Sequence, residues 1–188
     1  MIKIVMRGVS MSQTTQQDWR RRYRPYIVAG VLAFVLTMLV APEINEGNAM
    51  EPTLKDGQVL VIVKASYSAK RGEPELGQVV ILEKTLAPDV SQDNIIGRVV
   101  GLPGDKIKIK DGKIYRNGKE YMTKSGIAGA RGDCDITVGK DDVFLLSDNR
   151  DSDQDSRNPK LGPVNMREIK GNVKLIIWPL GDFGGIGE

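Results

Sequence analysis

Three short stretches hold most of the side chains that could perform or support chemistry. The first is Gly47-Asn48-Ala49-Met50-Glu51-Pro52-Thr53-Leu54. The second is Arg98-Val99-Val100-Gly101-Leu102-Pro103-Gly104-Asp105. The third is Ser147-Asp148-Asn149-Arg150-Asp151-Ser152-Asp153-Gln154-Asp155-Ser156-Arg157. Taken alone, each has a plain structural meaning. The first is a loop with a proline turn leading into a strand. The second is a strand followed by a turn, because proline fixes φ and glycine permits positive φ. The third is a solvated acidic loop. What the chain lacks narrows the chemistry further. It has no histidine, which excludes a Ser-His-Asp triad, a Cys-His dyad and a His-ligated metal. Its single cysteine, Cys134, excludes an intramolecular disulfide and a Cys-based zinc site. A hydrolase built from these residues would need another base, such as lysine. No cofactor and no metal site is expected.

The elements that would position these stretches follow from hydropathy and charge. There are 188 residues with a net charge of +3 and a hydrophobic fraction of 40%, ordinary for one globular domain plus an extra segment. Residues 1–25 form a cytoplasmic tail, polar and aperiodic up to Asp18 and ending in the basic cluster Arg20, Arg21, Arg22 and Arg24. Residues 26–41 form a transmembrane anchor, with Ile27 to Ala41 unbroken by charge. That run spans only about 22 Å at ~1.5 Å per residue, so Tyr26, Trp19 and the snorkelling arginines must extend it toward the ~30 Å hydrocarbon core. A cleaved signal peptide is the rival reading, since Gly47-Asn48-Ala49 has small-x-small form. Cleavage there would cut through the first stretch. The arginines place the N-terminus in the cytoplasm and the rest of the chain outside. Nothing else suggests a nucleic-acid face.

Residues 42–188 read as a single, mainly antiparallel β domain, in two sheets or a partly closed barrel. Gln58–Lys64, Gly77–Leu82, Lys106–Lys110, Val143–Leu146 and Asn172–Trp178 have strand length and composition. Asp111-Gly112 and Asn117-Gly118 are hairpin turns. Residues 65–76 and 84–93 are polar connections, Met122 to Asp142 is a glycine-rich surface excursion, and Met166 to Lys170 hints at a short helical turn.

In this order and spacing the three stretches resemble the motifs of the type I signal peptidases. The first resembles G-x-S-M-x-P-T-L, the second K-R-V-I-G-L-P-G-D, and the third G-D-N-R-x-x-S-x-D-S-R. The resemblance covers about residues 20–180 and implies a signal-peptidase-like antiparallel β domain carried by one N-terminal transmembrane helix. Scaffold positions match: Met50, Pro52, Thr53, Gly101, Pro103, Gly104, Asp105, Asp148, Asn149, Arg150, Asp155, Ser156 and Arg157. The chemical positions do not. The nucleophilic serine falls on Ala49, the general-base lysine on Gly97, and the serine that supports that lysine on Asp153. The glycine closing the third motif is displaced to Gly162, which implies two inserted residues.

In the family the lysine is desolvated until its neutral amine can take the serine proton. Neither group exists here. The resemblance also implies that Gly47, Asn48, Ala49, Met50 and Pro52 line a groove for an extended peptide bound along sheet edges. It implies that Asp155 and Arg157, with Arg150, hold the third loop against the second motif through charge-assisted hydrogen bonds. The expectation is a membrane-anchored protein, lacking the dyad, that binds a pilin or other secreted polypeptide to assist surface pilus assembly. The alternative is a type I signal peptidase, a serine endopeptidase whose Ala49 was introduced. A purely structural surface protein is a third class. Arg131-Gly132-Asp133 reads as a turn rather than an adhesion tripeptide.

Overall fold

The computed structural model describes residues 14–65, 67–68, 70–82, 95–122 and 130–186. The expected connection at 84–93 lies outside them. Two compact units divide between Met38 and Leu39. The first holds one helix, α1 (Thr14–Leu39), whose apolar part from Arg21 to Leu39 is 19 residues long. At ~1.5 Å per residue it reaches about 28 Å, enough to cross a membrane. It corrects the expectation at both ends. The helix begins at Thr14, inside the stretch read as an aperiodic tail. It stops at Leu39, so Val40 and Ala41 are strand rather than anchor. Ala41, the residue before Pro42, is extended, as that position favours.

The second unit is a β domain. Its large sheet is built from β1 (Val40–Ile44), β2 (Val59–Lys64), β3 (Val79–Leu82), β4 (Ile95–Gly101), β9 (Asp142–Leu146), β10 (Val164–Asn165), β11 (Ile169–Trp178) and β12 (Gly184–Gly185). They run in the order β1-β2-β11-β3-β4-β9-β10, with β12 on β11. The small sheet contains β5 (Lys106–Lys110), β6 (Lys113–Arg116), β7 (Lys119–Glu120) and β8 (Cys134–Thr137), ordered β7-β6-β5-β8. Every pairing is antiparallel. Pro42 sits on the edge strand β1, where a missing donor costs no ladder bond.

Strands β3 and β4 are buried on both faces, so they carry no alternation of apolar and polar residues. Val80, Leu82, Ile95 and Val99 enter one core with Leu145 and Met166. Val79, Ile81 and Ile96 enter another with Met50, Leu54, Leu60 and Ile62. A third core joins the sheets through Val100, Ile107, Ile109, Phe144 and Leu146. At Gly101 a Cβ would lie 2.9 Å from Ile107 Cγ1, so this close approach of β4 to β5 needs glycine. The hairpin turns behave as their sequences imply: Asp111 and Asn117 adopt φ of 52° and 53°, each followed by a positive-φ glycine.

Two further expectations change. The stretch Met122 to Asp142 is not only a surface excursion, because Cys134–Thr137 pairs with β5 and Ala130 and Val138 are buried. Residues 123–129 lie outside the described part. The short helix is a single 3-10 turn, Met166–Glu168, capped by Asn165, and β11 starts at Ile169, three residues before the expected Asn172.

Candidate peptide site at the degenerate catalytic motifs

The first motif is a buried turn. Ala49 is only 7% exposed and Met50 1%, with Met50 in the core alongside Leu54 and Ile96. Glu51 N donates to Asn48 O at 3.1 Å and Leu54 N to Met50 O at 2.9 Å. Gly47, at φ 80°, donates its N–H to Asp56 Oδ1 at 2.7 Å. The apolar residues anchor the turn, and its backbone carbonyls bond to the third motif. Asn149 N donates to Ala49 O at 2.9 Å, and Asn149 Nδ2 to Asn48 O at 3.1 Å.

One buried ion pair ties all three motifs together. Arg98 Nε donates to Asp148 Oδ1 at 2.9 Å and its Nη2 to Asp148 Oδ2 at 2.6 Å. The third guanidinium nitrogen reaches Gly77 O at 2.7 Å. Thr53 Oγ1 donates to the same Asp148 Oδ2 at 2.6 Å. Both charged side chains are fully buried. A two-pronged arginine–carboxylate bond of this kind fixes orientation as well as position. Removing one partner would strand a buried charge, at a cost of about 3–5 kcal/mol.

The expected assignment of this tie to Asp155, Arg157 and Arg150 is therefore corrected. Asp155 and Arg157 brace the third loop internally. Arg157 donates Nε to Asp155 Oδ1 at 2.9 Å and Nη2 to Asp155 Oδ2 at 2.7 Å, while Ser147 N donates to Asp155 Oδ2 at 2.9 Å. Arg157 also bonds the carbonyls of Arg150, Arg131 and Ser152. Ser156 clamps β9, its N–H reaching Leu145 O and its Oγ accepting from Leu145 N, both at 3.0 Å. Arg150 joins this bracing only through its backbone carbonyl. Its three guanidinium nitrogens are shielded from solvent and have no hydrogen-bond partner among the described residues. Burial pulls its pKa below the ordinary arginine value despite the nearby Asp148 and Asp155.

The second motif closes on Asp105. It accepts from Leu102 N at 2.8 Å, Arg116 Nε at 2.6 Å and Asn117 Nδ2 at 2.7 Å. Burial alone would raise its pKa, but the hydrogen bonds from Arg116, Leu102 and Asn117 together hold it below the usual carboxylate range.

Gly97 lies opposite Val80 in the β3–β4 ladder. A Cβ there would meet Leu145 Cβ at 3.1 Å, Leu145 Cδ1 at 3.6 Å and Leu146 O at 3.8 Å. None of these nearest atoms belongs to the first motif. Asp153 is exposed and lines a cleft of about 350 Å³ with Arg131, Asp151, Arg157 and Asn158. Gly162 closes a turn in which Leu161 N and Gly162 N both bond Asn158 O. The assembled site holds no hydroxyl or thiol at 49 and no amine at 97, so it offers no nucleophile–base pair at those positions. The sequence reading gave Arg98 no role of its own. Its signal was a single charge inside the apolar run Ile95–Gly101.

The family model described as "Signal peptidase, peptidase S26" matches residues 16–178. The chain belongs to this family. Relatives bear the family's name. Signal peptidase I of Bacillus caldolyticus is 32% identical over 186 residues, covering 90% of this chain and 97% of its own. Signal peptidase I P of Bacillus subtilis subsp. natto is 31% identical over 175 residues, covering 87% and 89%. Signal peptidase IB of Staphylococcus aureus strain COL is 31% identical over 176 residues, covering 83% and 87%. A crystal structure of a signal peptidase I from Enterococcus faecalis V583 aligns with a TM-score of 0.43 at 23% identity, over 54% of this chain and 97% of that one.

Proposed function

We propose that this family member is membrane-anchored by α1 and binds extended polypeptide without cutting it, with a pilin or another secreted protein as client. One observation carries the reading. The Arg98–Asp148–Thr53 tie and the Asn149–Ala49 bond keep the three motifs in register, while the two positions that serve proton transfer are Ala49 and Gly97. A scaffold retained around an absent dyad supports recognition rather than hydrolysis, since recognition along a sheet edge needs backbone hydrogen bonds and small pockets only. The arginines at 20, 21, 22 and 24 support a reading in which the β domain lies on the outer side.

A second reading is a signal peptidase whose Ala49 was introduced, and the names of the relatives favour it. Detergent-solubilised protein mixed with a preprotein and a pilin-derived peptide separates the two. Saturable binding with the preprotein intact is expected. Cleavage that persists after contaminating peptidases are removed would overturn the proposal, and so would the absence of binding to either polypeptide.

A further inference from the structure

The outer face of the small sheet has a charge pattern that the motif site does not use. Strand β5 alternates strictly, with Ile107 and Ile109 buried and Lys106, Lys108 and Lys110 exposed. At ~3.4 Å per residue the three ammonium-bearing positions stand about 7 Å apart in a row. Tyr115 pairs with Lys108 across the β5–β6 ladder and so shares their face. Lys106, Lys108, Lys110, Tyr115 and Gly118 line a cleft of about 380 Å³. Among the described residues one carboxylate answers the row: Asp135 lies 3.6 Å from both Lys106 and Lys108. Lys110 has no ion pair among the described residues. Lys113 nearby is matched by Glu120, so the row keeps a surplus of two positive charges.

We propose that this cleft binds a linear polyol phosphate, a polymer of small polyol units joined by phosphodiesters. Lysine is suited to phosphate, which it binds as a point charge. An ammonium is a compact point charge with donors in all directions, so it sets no fixed geometry on the anion. The lysine–Asp135 contacts are long and exposed, of the sort a multivalent anion displaces at little cost. Regular spacing matches a polymer better than a single small anion. One tyrosine offers a single apolar platform for a polyol or sugar unit. It does not supply the succession of aromatic side chains on which the bases of a single-stranded nucleic acid stack.

The test uses the full-length protein in neutral detergent, titrated with poly(glycerol phosphate), poly-L-glutamate and oligo-dT at several salt concentrations. Poly(glycerol phosphate) is expected to bind best. With three lysines engaged, the slope of log K against log salt should be about −2, at roughly −0.7 per contact on a flexible chain. Lys110→Gln should reduce that slope by about 0.7 and weaken binding several-fold. Asp135→Asn should tighten binding, because it frees Lys106 and Lys108. Tyr115→Ala should weaken binding without altering the slope. These surface substitutions leave the buried face of the sheet intact. Absence of binding, binding indifferent to Lys110→Gln and Asp135→Asn, or equal or tighter binding of poly-L-glutamate or oligo-dT would each overturn the proposal.

Discussion

The sharpest prediction concerns position 97, because the geometry there argues that the site cannot be made catalytic by restoring its missing groups. Gly97→Ala adds one methyl whose carbon would sit 3.1 Å from Leu145 Cβ. Leu145 has little room to retreat. Its backbone is bonded to Ser156 on one side and paired with Val99 on the other. Its side chain is packed with Val80, Val99 and Met166. Glycine to alanine at an ordinary φ gains about 0.4–1 kcal/mol by restricting the unfolded chain. Overpacking a tight core costs about 1–3 kcal/mol. The clash wins, with a net loss of about 1 kcal/mol, or roughly 2–4 °C in Tm for a domain of this size. Thermal unfolding of Gly97→Ala, Leu145→Ala and the double variant checks it. The double should lose less than the sum of the singles, because Leu145→Ala makes the space that the new methyl needs. A lysine at 97 starts from the same crowded Cβ and must also carry an amine out of apolar surroundings. The Ala49→Ser/Gly97→Lys variant should therefore cleave a signal peptide no faster than Ala49→Ser alone. A higher Tm for Gly97→Ala, or cleavage by the double variant well above the single, would refute the reasoning.

Arg98→Met should destabilise by about 3–5 kcal/mol, because it leaves Asp148 charged and buried, whereas Arg98→Met with Asp148→Leu should cost clearly less; urea unfolding of the set compares them. Arg150→Met should instead stabilise, by about 1 kcal/mol or more, since it removes a shielded cation that makes no hydrogen bond among the described residues; a lower denaturant midpoint would contradict this. Asp105 has a folded-state pKa below its unfolded value, so its contribution is complete above the unfolded pKa near ~3.9 and is lost as pH falls through the folded one. Asp105→Asn should accordingly flatten the acid limb of a Tm-against-pH curve while leaving its shape above about pH 5 unchanged.

Local rules were readable where local forces decide. The alternation of Lys106–Lys110 and the Asp-Gly and Asn-Gly turns gave strand, face and hairpin together, because period and turn chemistry are short-range. The strand Cys134–Thr137 was hidden inside a glycine-rich stretch, and its pairing with β5 is supplied by tertiary contact rather than propensity. The motif positions were legible by resemblance, but their bonding was not. Arg98 and Asp148 lie 50 residues apart, and no periodicity announces that one buried charge answers the other. Nor could the sequence reveal that Leu145 abuts position 97, since that contact depends on the β4–β9 register.

Thr53 and Asp148 are joined by a hydrogen bond across 95 residues of chain, which has a consequence for the order of events during biosynthesis. A chain grows from its N-terminus at about 5–20 residues per second. The turn at 47–54 is therefore made roughly 5–20 seconds before the aspartate that holds its threonine, and before the Asn149 N–H that bonds Ala49 O. Until that return, α1 and the first motif exist without the third, and Met50 and Leu54 lack part of their cover. β2 likewise waits for β11. The newborn domain would thus carry its first turn unset until almost the whole chain has been delivered, so the three motifs come together only at the end of synthesis.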